Sequence, residues 1–250
     1  CFDEYFKFFI NLINTNKLPK ASLFTGTKGT GKFTLISHLM NSFFDKSNYD
    51  DEKNLILNNS SFSSQYLDNI YPNIIYLSGT DFKSVKIDDI RNIKNLLIKK
   101  PMIDNKRFVI LDDVEMFNLN SMNALLKMIE EPGPDNYFIL IYNKSKPLLE
   151  TIKSRCVEFC INLNSEKKRI AINHLIKNFN QEKILKTDLI DISPGNYIKF
   201  NHILNENKIN PDDKFIDNIN LILNLYKKEK NILYKDLLIF FTEYYFKTIN

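Results

Sequence analysis

Between an apolar run, Ala21-Ser22-Leu23-Phe24-Thr25, and a helical pattern over roughly 32–44, the chain reads Gly26-Thr27-Lys28-Gly29-Thr30-Gly31-Lys32. No other stretch restricts the possible folds as strongly. Glycines let backbone N–H groups turn inward around a phosphate, and a helix start adds its positive end. A lysine at the last of these places reaches the β and γ oxygens. The string matches the phosphate-binding pattern G-x-x-x-x-G-K-[ST] up to its final position. The competing reading is a glycine-rich strand-to-helix turn that binds nothing. At the final position Phe33 replaces the hydroxyl that would hold Mg2+, and Thr34 comes one place late. A helix step turns a side chain by about 100°, so Thr34 is expected to point elsewhere. The loop Gly26 to Thr34 is therefore expected to accept ATP or ADP with impaired Mg2+ bridging and little hydrolysis.

Three further apolar runs read as strands: Asn73-Ile74-Ile75-Tyr76-Leu77, Phe108-Val109-Ile110-Leu111 and Tyr137-Phe138-Ile139-Leu140-Ile141. They are nearly continuous rather than alternating, as expected of parallel strands covered on both faces. Helical patterns lie between them at roughly 86–99 and 121–131. In the second, Met122, Leu125, Leu126 and Ile129 share one face, Asn120 is the expected N-cap and Pro132 the stop. The order predicts an open α/β sheet. Residues 45–72 are polar and weakly periodic, which predicts an insertion or long loop.

Beyond about residue 162 helical patterns dominate. Ser193-Pro194-Gly195-Asn196 punctuates this half, and Asn210-Pro211-Asp212 reads as a turn before a helix carrying Phe215, Ile219, Ile222, Leu223 and Tyr226. Phe240, Phe241, Tyr244, Tyr245 and Phe246 nearly surround a last helix, which must be largely buried or docked. The expected domains are an α/β nucleotide-binding domain over 1–162, a small helical lid over 163–207 and a helical segment over 208–250.

Phe108 to Leu111 runs into Asp112-Asp113, the acidic half of a phosphate-loop site. Asp112 is placed to hold a Mg2+ shell, and Asp113 stands where a water-polarising Glu would be one methylene longer. Asn143, just past the last strand, is a candidate γ-phosphate contact or an ordinary turn residue.

Asn123-Ala124-Leu125-Leu126-Lys127-Met128-Ile129-Glu130-Glu131-Pro132, followed by Ser154-Arg155-Cys156, resembles the bacterial clamp-loader ATPases of the AAA+ superfamily. Ile87-Asp88-Asp89-Ile90-Arg91 fits the same family. The resemblance spans about 18–200 and is strongest to the delta-prime group of DNA polymerase III. It implies an AAA+ P-loop domain with a parallel sheet flanked by helices, then a helical lid and part of a helical collar that is short or truncated. It implies partners as well: other loader subunits in a pentameric hetero-oligomer, a sliding clamp, and primer-template DNA met through the complex.

Within that resemblance, Arg155 is implied to be an arginine finger that reaches a neighbour's ATP in trans. A guanidinium suits the task because it stays charged and spreads its donors over phosphate oxygens. Taken alone, Arg155 is a surface arginine. The family commonly carries a four-cysteine zinc module, but 45–72 has no Cys, so no zinc is expected. Asn196 stands where active members place a nucleotide-sensing Arg, which again argues against hydrolysis in cis. Two alternatives remain: an active motor subunit of the loader, and an unrelated P-loop kinase or regulator.

The net charge of +4 permits nucleic-acid contact without arguing for it. Three cysteines cannot build a disulfide framework, and no apolar run approaches the about 18 residues of a membrane span. With no signal-like start at Cys1-Phe2-Asp3-Glu4, a cytoplasmic location is expected. The absent initiator Met predicts a few preceding residues.

Overall fold

A computed structural model of the chain describes residues 2–57, 60–80, 85–101, 106–186 and 191–249. Two compact units emerge, one over 2–162 and one over 163–250. Among the described residues no helix is long and apolar enough to cross a membrane.

In the first unit the strands are β1 (Ala21–Thr25), β2 (Tyr49–Asp50), β3 (Leu55–Ile56), β4 (Ile74–Ser78), β5 (Arg107–Asp112), β6 (Asn136–Tyr142) and β7 (Val157–Cys160). Its helices are α1 (Asp3–Asn14), α2 (Lys32–Phe44), α3 (Ser61–Leu67), α4 (Ile87–Leu97), α5 (Leu119–Glu130) and α6 (Glu150–Lys153). Five strands form one sheet in the order β4-β5-β6-β1-β7, all neighbours parallel. Because side chains alternate across a strand, β5 sends Phe108 and Ile110 to one face and Val109 and Leu111 to the other. The first pair joins an apolar cluster with residues of α1, α2 and α3, the second a cluster with residues of α4 and α5. Both faces are thus covered, which is why the strands read as unbroken apolar runs.

The four predicted strands and helices α2, α4 and α5 are present within a few residues of their expected bounds. Four differences stand out. The sequence reading has no element before Lys20, yet α1 buries Phe6, Phe9 and Ile13. The 45–72 segment is not one long loop: Ser60 caps α3 by accepting from the Ser63 N–H, and Phe62 and Tyr66 join the core with Tyr71. Seven residues are too few for a helical period to show. The N-cap of α5 is Asn118 rather than Asn120: its Oδ1 accepts from Ser121 N at 2.9 Å while its amide donates to Val85 O. Asn120 lies within the first turn and is exposed. Finally, β7 was not among the expected strands; its Val157 and Glu158 are exposed at the sheet edge.

The second unit contains α7 (Ser165–Asn178), α8 (Pro194–Glu206), α9 (Phe215–Glu229) and α10 (Ile232–Ile249). Pro194 opens α8, where its fixed φ costs nothing. One apolar cluster runs from Ile172 through Tyr197, Phe200 and Ile222 to Phe241 and Tyr244. Of the aromatic residues on α10, Tyr234, Phe241 and Tyr244 are buried and Phe246 is exposed.

Candidate functional site

The glycine loop leaves the C-terminal end of β1 and is pinned at once, Gly26 N–H donating to Tyr142 O at 3.3 Å. A side chain at Gly26 would run into the carbonyl of Ile161, so only glycine fits there. Gly31 adopts φ +102 at the mouth of α2, a left-handed conformation that glycine takes without strain. Thr30 Oγ1 donates to Thr27 O at 2.6 Å and closes the loop. Thr27 is exposed, while Lys28 and Gly29 are partly covered.

Lys32 is buried and folded back onto the loop, its Nζ donating to Gly26 O at 2.8 Å and Thr27 O at 2.9 Å. Burial pulls its pKa down to about 8, against the opposing pull of Asp112, Glu115 and Asp113. Phe33 turns its ring edge toward Tyr76 at 5.3 Å between centroids, and Thr34 is exposed.

Asp112 ends β5, and its Oδ1 accepts from the Asp113 N–H at 2.8 Å. Burial pushes its carboxyl up to about 6, with the neighbouring Asp113 charge adding to the effect. Asp113 takes a left-handed conformation, φ 47, and both its oxygens already accept: Oδ1 from Asn143 Nδ2 at 2.9 Å, Oδ2 from Thr80 Oγ1 at 3.2 Å. It works here as a turn anchor. Asn143 also lies 3.5 Å from Asp112 Oδ1, so the structure brings Lys32, Asp112 and Asn143 around one place.

Glu115 is the residue that sequence reasoning missed. Buried, it accepts from the N–H groups of Asn143 and Ser145, both at 3.1 Å, and from Ser145 Oγ at 2.7 Å. It fixes the turn that carries Asn143. Nothing in its spacing marks it, because its partners lie about 30 positions away and meet it only across the sheet.

The donor set fits a polyphosphate: loop N–H groups at a helix start, with a lysine folded against them. At the position where the loop pattern calls for a metal-binding hydroxyl, Phe33 instead packs its ring against Tyr76.

Arg155 is elsewhere. It follows the single turn of α6, which Ile152 anchors in the core, and precedes β7. Its Nε donates to Glu130 Oε1 at 2.5 Å and its Nη1 to Thr151 O at 3.0 Å, with about a third of the side chain exposed. Val157 is in register with Ser22 in a parallel pair, so Arg155 lies at the N-terminal end of the sheet and Gly26 at the C-terminal end. Six residue steps at about 3.3 Å put roughly 20 Å between them along the strands. Cys156 beside it packs on the α5 cluster, and burial pushes its thiol up to about 11.

A parallel sheet of this order, with a glycine loop after β1 and an acidic end on β5, is the fold of the AAA+ P-loop proteins. A gamma subunit-related DNA polymerase III protein of Thermotoga maritima shares the fold with a TM-score of 0.52 over 93% of this chain and 75% of that chain, at 17% identity. The family model described as DNA polymerase III, delta subunit matches residues 2–166. The chain belongs to the delta-prime family of DNA polymerase III clamp-loader subunits. The DNA polymerase III subunit delta' of Bacillus subtilis is 31% identical over 60% of this chain and 44% of its own length. That of Pseudomonas aeruginosa is 37% identical over 30% of this chain and 23% of its own length. The match therefore spans less than half of either relative.

Proposed function

We propose that the chain serves as a delta-prime subunit in an ATP-driven sliding-clamp loader, where it lends Arg155 to a neighbouring subunit's ATP and hydrolyses little itself. The observation that supports this best is the separation of the two features. Arg155 lies at the opposite end of the sheet from its own phosphate loop, too far to serve it, and is partly exposed. The loop meanwhile has Phe33 at the metal position, and Asp113 is committed to Asn143 and Thr80. Gly26 to Thr34 with Asp112 and Asn143 would hold ATP or ADP, with Mg2+ contributing little. The partners would be the other subunits of a pentameric hetero-oligomer, with the clamp and primer-template DNA met through the complex, in the cytoplasm. Residues 163–207 would be the lid and 208–250 part of the collar; they share one apolar cluster, so that boundary is one of role rather than of packing.

In the reconstituted loader, Arg155→Ala should lower clamp-stimulated ATPase by at least about tenfold at the site it serves. The isolated chain should be nearly inert with or without the substitution. Unchanged ATPase in the complex would refute the assignment.

An active motor subunit is the second reading, favoured by 28% identity over 77% of this chain to the DNA polymerase III subunit gamma/tau of Mycoplasma genitalium. Mg2+-dependent turnover by the isolated chain would establish it.

A further inference from the structure

Arg155 and Glu130 come from the two motifs that mark the family resemblance, one before β7 and one at the last position of α5. In the structure they are a single unit. Glu130 Oε1 accepts from Arg155 Nε at 2.5 Å, and the carbonyl of Thr151 accepts from Nη1 at 3.0 Å. A guanidinium has five N–H donors in a rigid plane. These two contacts grip the plane from its two sides, Nε–H on one and Nη1–H on the other, and among the described residues Arg155 makes no other hydrogen bond. The Nη2 donors, at the end of the group, are left to face a ligand.

The supports are themselves fixed. Thr151 belongs to α6, whose neighbouring Ile152 is fully buried in the cluster beneath α5. Glu130 closes α5, whose Ile129 and Met128 lie in the same cluster. Pro132 ends the helix just beyond and Gly133 turns the chain with φ +75. An exposed arginine loses considerable side-chain entropy when it engages a phosphate. An arginine already held by a carboxylate and a carbonyl has lost much of it in advance, and its reach is set by backbone anchored in the core.

We propose that Glu130 is a positioning residue for Arg155: with the Thr151 carbonyl it holds the guanidinium so that its free Nη2 donors meet the γ-phosphate region of the neighbouring subunit's nucleotide. This rests on the trans role of Arg155 proposed above, and two measurements keep the claims apart. In 15N–1H spectra of the full chain, the Arg155 Nε–H should be a resolved, slowly exchanging resonance. Glu130→Ala should remove that resonance, and Glu130→Gln, which keeps the acceptor oxygen, should retain it. A fast-exchanging Nε–H in the unsubstituted chain would overturn the pairing whatever Arg155 does in the complex.

In the reconstituted loader, E130A should lower ATPase kcat on the order of tenfold, no further than R155A does, with KM for ATP little changed. E130Q should recover most of the loss. In an R155A background E130A should have no additional effect. An equal E130A loss with and without Arg155 would show a merely structural role and overturn the proposal. If R155A itself left ATPase unchanged while the Nε–H signature held, the trans role would fail and the pairing would stand as a surface ion pair.

Discussion

At the scale of single residues, the candidate site owes its character to charges buried with incomplete compensation. Asp112 holds its proton up to about pH 6 when folded, against 3.8 when unfolded. Between those values the folded state binds more protons, so stability falls as pH rises from about 4 to about 6 and stays reduced above. The deficit corresponds to about 3 kcal/mol at neutral pH. Asp112→Asn removes the buried charge and should raise the denaturation midpoint at pH 7.5, with the advantage shrinking toward zero by pH 4. A stability difference between variant and parent that stays flat across that range would contradict the burial of a charged carboxyl. Lys32 shows the same economy from the cationic side: the carbonyls of Gly26 and Thr27 take its hydrogen bonds. How much of this could be read beforehand varies with range. The loop, Phe33 and Asp112 were legible because each lies within a local string. The commitment of Asp113 and the role of Glu115 were not, because their partners Thr80, Asn143 and Ser145 come from other strand ends.

At the scale of elements, legibility followed burial pattern. β1, β5 and β6 showed as unbroken apolar runs because both faces of the sheet are covered. β7 escaped notice because its edge position leaves Val157 and Glu158 in solvent, so its composition carries no strand signal. α2, α4 and α5 announced themselves by period, whereas α3 is too short to do so. α1 did carry a readable pattern in Phe6, Phe9 and Ile13. The correction at α5 is directly testable. Asn118→Ala removes the cap on Ser121 and the bond to Val85 O, and should cost about 1–2 kcal/mol in chemical denaturation. Asn120→Ala, at an exposed helical position, should change stability by less than about 0.5 kcal/mol. Equal losses at the two positions would return the helix start to where the sequence alone would put it.

At the scale of the whole molecule, each unit closes its apolar clusters with its own residues: two flank the sheet within 2–162, and one joins α7 to α10. A fragment of residues 2–162 should therefore fold alone and unfold in one cooperative transition by circular dichroism and calorimetry. A molten fragment without a transition would show that the first unit depends on the second. The opposed placement of Arg155 and the glycine loop on the sheet has a consequence for assembly. A subunit that gives at one end and receives at the other is directional, so contacts through those ends are head-to-tail rather than two-fold symmetric. Such subunits line up in a row with a first and a last member. On the role proposed for Arg155, a chain whose giving end is whole and whose receiving end is blunted would sit at one terminus of that row, where nothing need be placed against its own loop.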